Sequence, residues 1–171
     1  MKISSEWPRI IGLHADSGQL ACVWMAQEKL TGKIFLYDSA LFDRVVFAVI
    51  AERLGDKIPI AWESSAEELV KRLKKRGCKI TREGYKESQV LAEATAREIW
   101  SQMEAKKFLV GSHNEQWFNE RERFWLADGG AVPMDNFPLM SATRHAMANL
   151  SKAKQIKGKA RKLEYDTRGI I

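Results

Sequence analysis

Three acidic residues stand at the edges of apolar patterns: Asp16 directly after RIIGLHA, Glu63 at the close of IPIAWE, and Asp135 shortly before the helical pattern that opens at Pro138. Carboxylates delivered to one point from separate elements are the ligands a hard divalent cation such as Mg²⁺ or Mn²⁺ takes. Two such ions roughly 3.5 to 4 Å apart can activate water and stabilise the leaving oxygen when a phosphodiester is hydrolysed. Each acid also has a plainer role open to it. Asp16 opens an Asp-Ser-Gly turn, and Asp135 suits a loop or a helix cap. Glu63 ends a buried strand, where an unpaired carboxylate is costly, which favours a functional role. His14 is either a packed histidine or a group that orients water or phosphate beside the acids. Arg144 pairs with an acid of the site or a phosphate, or forms a surface ion pair. Lys86 either touches an anionic polymer or is a solvated lysine.

The elements that must position these residues follow from periodicity. RIIGLHA and LACVWMA read as strands joined by the Asp-Ser-Gly turn, and a second turn over residues 30–33 leads into KIFLYDSALF, so the chain opens as a three-stranded antiparallel meander. Residues 43–54 carry Val46, Val49, Ile50 and Leu54 at helical spacing, with Gly55 to stop the helix. IPIAWE is a continuous apolar run, expected of a central strand covered on both faces. Ser64 and Ser65 are candidate caps with Glu67 and Glu68 as capping-box partners. Ala66, Leu69, Val70 and Leu73 form the apolar stripe, Lys74, Lys75 and Arg76 suit the negative end of the dipole, and Gly77 closes the helix.

CKI at residues 78–80 is then a short parallel strand reached by a right-handed crossover. A longer helix covers about residues 87–104 with Ala92, Ala96, Ile99 and Met103 on one face, and residues 108–110 make another strand. Residues 113–123 are polar and compatible with a helix, and FWLADGGAVPM reads as a hairpin turning at residues 128–130. A last helix runs from Pro138 to about Lys152 with Leu139, Ala142, Ala146 and Leu150 inward. Three antiparallel strands, a helix, a parallel strand, then helices for both faces is the element order of a ribonuclease H-like mixed α/β sheet, an order other α/β layouts share.

The 171 residues, 45% of them apolar, suit one globular domain with a sizeable core. No stretch approaches the roughly 20 apolar residues of a membrane span, and the N-terminus has no signal-peptide core, so a soluble cytosolic protein is expected. Cys22 and Cys78 sit in apolar runs and are expected to be reduced core residues. The net charge of +6 is concentrated near the end, with seven basic and two acidic residues between positions 152 and 168. That segment is either a solvated terminus or an arm for nucleic acid. The six tryptophans are expected in core and rim packing rather than as a base-stacking platform. A Gly-rich Lys-Ser/Thr phosphate loop is absent from the sequence, so the chain has no such ATPase site of its own.

Over roughly residues 9–150 the sequence resembles the nuclease domains of phage and prophage terminase large subunits. The resemblance rests on IIGLHAD followed by a strand, and on IAWESSAEELVKRLKKRGCKI, where the family has a strand ending in an acid, a short capped helix and a Lys/Arg-Gly pair. It rests further on ERERFWLADGGAVP and on MDNFPLMSATRHAM, an acidic segment running into a Ser-Ala-Thr-Arg helix start and the most specific of the four. It implies a nuclease domain over residues 9–152, with residues 1–8 as linker or domain edge and 153–171 as a basic, flexible tail. The implied activity is two-metal-ion cutting of concatemeric double-stranded DNA when packaging starts or ends, in the host cytoplasm, with Asp16, Glu63 and Asp135 as catalytic ligands.

Two departures shape that assignment. Many relatives place the first acid two residues after the strand glycine, where this chain has His14, so the role passes to Asp16 on the same strand face. A common variant places the third acid immediately before Ala142, where this chain has Ser141, so the role passes to Asp135. His14, Ser141 and Arg144 are then expected around the ions rather than on them, and Lys86, Lys154, Lys157, Lys159 and Arg161 on DNA phosphates. An upstream ATPase domain of the same polypeptide, a portal protein and a small terminase subunit are the implied partners, with no membrane. The departures also admit a catalytically weak or dead DNA-gripping or docking module, and the fold admits a structure-selective junction nuclease.

Overall fold

In-and-out alternation along the N-terminal apolar runs builds a sheet with two covered faces. In the computed structural model, which describes residues 3–16, 19–42, 46–126 and 132–156 (side chains at 125 and 126 excepted), β1 (Arg9–Ala15), β2 (Leu20–Gln27) and β3 (Ile34–Phe42) form the expected antiparallel meander. The three-residue β4 (Ile60–Trp62) joins β1 in parallel, and β5 (Phe108–Val110) joins β3 in parallel, for a sheet order of β4-β1-β2-β3-β5. Ile11, Leu13, Cys22 and Trp62 face one layer, filled by Ile50 and Leu54 of α1 (Phe47–Leu54) and Val70 and Leu73 of α2 (Glu67–Lys75). Ile10, Ala21, Val23 and Ala61 face the other, filled from α3 (Gln89–Glu104), α4 (Glu115–Leu126) and α5 (Pro138–Ala148). Ahead of β1, Ile3 is buried and Trp7 stacks on Phe35 at 4.9 Å, so this segment packs on the sheet. Both cysteines are free and buried. Among the described residues no helix is long and apolar enough to cross a membrane.

Several local expectations are corrected. Val46 and Val49 are exposed, because α1 starts at Phe47 and meets the sheet through Ile50 and Leu54; residues 43–45 lie outside the described part. Neither Ser64 nor Ser65 caps α2. Instead the Glu63 carboxylate accepts from the Ser65 backbone N–H and caps a 3-10 turn, Ser64–Ala66, that runs into α2. CKI contributes one parallel bridge, Ile60 to Ile80, rather than a strand. FWL ends α4 instead of opening a hairpin: Trp117, Glu120 and Phe124 recur at helical spacing and are all buried, a period that overrides the local β-like run. The expected turn at residues 128–130 lies outside the described residues. Lys154 exchanges two backbone hydrogen bonds with Arg9, whereas Lys157, Lys159 and Arg161 lie outside the described residues.

The helix that matters most for position is α5, which crosses directly over β1. A Cβ on Gly12 would stand 2.0 Å from the Ala142 carbonyl oxygen and 2.9 Å from the Ala146 Cβ, so only a hydrogen fits between strand and helix. The start of α5 has no cap of its own; Glu120 of α4 reaches across, its Oε2 accepting from the backbone N–H groups of Leu139 (2.9 Å) and Met140 (3.1 Å). Burial pushes the Glu120 carboxyl up to about 7, against the lowering pull of those two N–H groups.

Gly12→Ala should therefore lift α5 from β1 and destabilise the domain by at least about 1–3 kcal/mol, the usual penalty for overpacking. Urea unfolding would measure it. A change under about 0.5 kcal/mol would mean that helix and strand are not in this contact.

Candidate functional site

Strand alternation puts Gly12, His14 and Asp16 of the first strand, and Ala61 and Glu63 of the fourth, on the face that α5 covers. The parallel pairing of Leu13 with Trp62, continued by one residue, sets Glu63 beside His14. Asp16 follows β1 and its main chain exchanges hydrogen bonds with Gln19, so it closes the hairpin turn as well. The Glu63 carboxylate is oriented by the Ser65 N–H at 3.0 Å and by the hydroxyls of Ser64 and Ser65. A carboxylate has about four acceptor positions, so these contacts leave capacity for a further ligand.

Behind the acids lies a buried polar network. Arg144 of α5 makes a two-pronged ion pair with Glu87, Nε to Oε2 at 3.1 Å and Nη2 to Oε1 at 3.0 Å; the two side chains are 2% and 3% exposed. The same guanidinium donates to Ser141 Oγ at 3.2 Å and lies 5.9 Å from the centre of the Phe124 ring, while its Nη1 is buried without a hydrogen-bond partner. Tyr85 donates its hydroxyl proton to Glu87 Oε2 at 2.8 Å, and the Tyr85 hydroxyl oxygen lies 2.6 Å from His145 Nδ1. His145 Nε2 is 3.1 Å from His14 Nδ1.

Proton positions follow from this sequence of partners. Glu87 takes the single Tyr85 proton, so the Tyr85 oxygen must accept from His145 Nδ1–H. Burial first, then His14 and Arg144, hold His145 well below its ordinary 6.5, so it is a neutral imidazole with one proton. Its Nε2 therefore accepts, and His14 Nδ1 must donate. His14 is also held below 6.5, by burial first and by Arg144, against the raising fields of Asp16, Glu87 and Glu63. A neutral His14 with its proton on Nδ1 has an open lone pair on Nε2, which has no partner among the described residues. Burial, then the Glu87 charge, raises the Tyr85 hydroxyl above its ordinary range, so it stays protonated.

Of the residues singled out from sequence, Asp16 and Glu63 both act electrostatically on His14, as does Arg144, which also holds Ser141. Arg144 is not a surface ion pair; it is buried, because Glu87 meets it inside. Asp135 is exposed, shortly before α5, and makes no hydrogen bond or ion pair among the described residues. Lys86 is exposed next to Glu87. Among the described residues no three or more His, Cys, Asp or Glu side chains are grouped to hold a metal ion. The donor chemistry of Asp16 and Glu63 does suit one hard cation, since Mg²⁺ commonly takes one or two protein carboxylates together with substrate phosphates and water. Tyr85, Glu87 and His145 were not singled out from sequence. A usable signal existed for His145, which stands with Ser141, Thr143 and Arg144 as polar residues inside a helix whose stripe is otherwise Leu139, Ala142 and Ala146.

No protein-family model matches the sequence, and no curated protein matches it. The structure of the P22 large terminase nuclease domain does match: TM-score 0.78, 16% identity, with 91% of this chain and 87% of that chain covered. The likeness to terminase nuclease domains is thus one of fold, and the fold is the ribonuclease H-like α/β sheet expected from the element order.

Two neutral histidines, His145 buried and His14 half-buried, make stability depend on pH. Their folded values lie below 6.5, so as pH falls under 6.5 the unfolded chain binds protons that the folded chain does not. Stability is present above 6.5 and lost below it, by up to about 1.4 kcal/mol per pH unit for each histidine. Glu120 acts oppositely: raised from 4.5 to about 7, it loses stability as pH rises through that window. Urea unfolding of Glu120→Gln, which keeps the cap but removes that titration, should show a steep loss between pH 6.5 and 5. A flat profile there would mean that the imidazoles are not held in neutral form.

Proposed function

We propose that this chain is the nuclease-fold domain of a viral DNA-packaging motor, and that it hydrolyses phosphodiester bonds of double-stranded DNA using Mg²⁺ or Mn²⁺ held by Asp16 and Glu63. The observation that carries the proposal is the delivery of these two carboxylates from the ends of adjacent parallel strands to the surroundings of one imidazole, His14. When bound, the cation polarises the scissile phosphate and lowers the pKa of the attacking water. The chain's own residues do the rest. Asp16 and Glu63 supply oxygen ligands; His14 Nε2 accepts a proton from water and orients it; Ser64 and Ser65 keep the Glu63 carboxylate in one orientation. Asp135, exposed and without a contact to this pair, serves as an outer acid of lesser weight, and Lys86, Lys154 and the basic residues Lys157, Lys159 and Arg161 neutralise DNA phosphates. An ATPase domain upstream, a portal protein and a small terminase subunit fit the same proposal as partners in the host cytoplasm.

One observation favours a second reading, a DNA-gripping module with weak or no cleavage. Ser141 and His14 are already engaged within the chain, Ser141 by Arg144 and His14 by His145, and neither offers a carboxylate.

Plasmid nicking by the purified chain separates the two. Cleavage should require Mn²⁺ or Mg²⁺ and should fall more than about 100-fold, beyond the range seen for partners outside the metal's own ligands, in Asp16→Ala and in Glu63→Ala. Asp135→Ala should lose less. Retention of plasmid without nicking, unchanged by metal, would establish the gripping module instead.

A further inference from the structure

Residues 69–82 carry seven basic residues and no acid: Lys71, Arg72, Lys74, Lys75, Arg76, Lys79 and Arg82. Two of them are engaged, Lys71 with Glu67 and Glu68, and Arg72 over the Phe47 ring at 4.1 Å. The rest are exposed and without an acidic partner among the described residues. They lead from the end of α2 into a groove of about 420 Å³ at the β4 end of the sheet, lined by Pro59, Lys79, Arg82 and Glu83 from one part of the chain and by Lys152 and Lys154 from another. Both parts are tied to the sheet by backbone. The Lys79 carbonyl accepts from Ile60 N–H at 2.8 Å, Thr81 N–H donates to the Ile60 carbonyl at 3.0 Å, and Lys154 pairs with Arg9. Four cations therefore line one groove on rigid backbone, with Glu83 the one acid among its lining residues. A solvated charge run has no reason to recruit cations from two segments some seventy residues apart in sequence to the lining of one groove.

We propose that this groove is a second DNA contact, a seat for the phosphate backbone of duplex DNA separate from the carboxylates. Pro59 lies four residues before Glu63, about 13 Å along an extended strand, or roughly four base pairs of duplex. A duplex with its reacting phosphate near Asp16 and Glu63 can thus continue along the same sheet edge into the groove. Lysines and an arginine on phosphates fix position and carry no base preference, so the seat holds DNA without regard to sequence. The inference rests on DNA being the polymer handled, as proposed above.

The test is fluorescence anisotropy with a labelled 30-base-pair duplex across a salt series, using the full chain, a triple variant Lys79→Glu, Arg82→Glu, Lys152→Glu, and Lys107→Glu on the opposite sheet edge as control. The triple variant should bind on the order of 100-fold more weakly near 0.1 M salt. Its slope of log affinity against log salt should be shallower by about 0.9 for each lost contact. Lys107→Glu should match the unaltered chain. Equal affinity and slope in the triple variant would overturn the seat while leaving duplex binding, and the proposed nuclease, intact. Failure of the unaltered chain to bind duplex at all would overturn both. Loss of binding to poly-glutamate with duplex binding unchanged would assign the groove to an acidic protein and overturn the seat as well.

Discussion

At Gly12 the backbone of α5 occupies the space that a side chain would need, and the rest of the site depends on that contact. A helix at ordinary distance from a sheet leaves room for side chains between them. Here Ala142 and Ala146 rest on the strand itself, so the polar residues that share the helix with them are forced inward: Ser141, Thr143, Arg144 and His145 are all buried. Thr143 answers by back-bonding to the Leu139 carbonyl at 2.7 Å and accepting from the Trp117 indole at 3.0 Å. Arg144 and His145 find Glu87, Tyr85 and His14. The close approach therefore does two things at once: it fixes where the helix lies, and it obliges the chain to build an internal polar network beneath the ends of β1 and β4.

Such a network is a demanding way to hold a structure together. Taking Arg144 and Glu87 out of water carries a desolvation penalty that their attraction offsets only when geometry is good and the remaining polar atoms are satisfied. The two-pronged contact meets the first condition, while the buried Nη1 of Arg144 falls short of the second. What the arrangement yields is direction. Each proton in the series from Glu87 to His14 has one place to be, so the imidazole nearest the carboxylates is held in one tautomer and one ring orientation. Hydrogen bonding from behind is how proteins orient groups that must meet a cation or a water molecule at a set angle. The Glu120 cap belongs to the same logic, since it anchors the start of the helix that carries Arg144 and His145.

The sheet was legible in the sequence because its signals are local. Alternation in RIIGLHA and LACVWMA and the turn residues between them lead to the observed strands, with helices on both faces; IPIAWE does hold a strand, but β4 ends the sheet order rather than lying centrally as its apolar run suggested. Where local signals conflicted with long-range burial, burial prevailed. FWL has strand-like composition, yet Trp117 and Phe124 must reach the core from one helix face, and α4 continues through it. Asp16 and Glu63 were legible as acids at strand ends; the internal network was not. Arg144 meets Glu87 across 57 residues and His145 meets His14 across 131, and nothing in spacing or composition links them. An arginine followed by a histidine on a helix looks like a solvated pair until the glycine opposite that helix is recognised as the place where the backbones touch.

The central claim is that the partners from Glu87 to His14 leave an open lone pair on Nε2 of His14, the imidazole on which both carboxylates act. Nitrogen-15 NMR of the imidazole side chains near pH 7.5 tests it directly, because the two-bond couplings distinguish which ring nitrogen carries the proton. Both His14 and His145 should be neutral with the proton on Nδ1. A His14 protonated on Nε2, or a charged His145, would contradict the account.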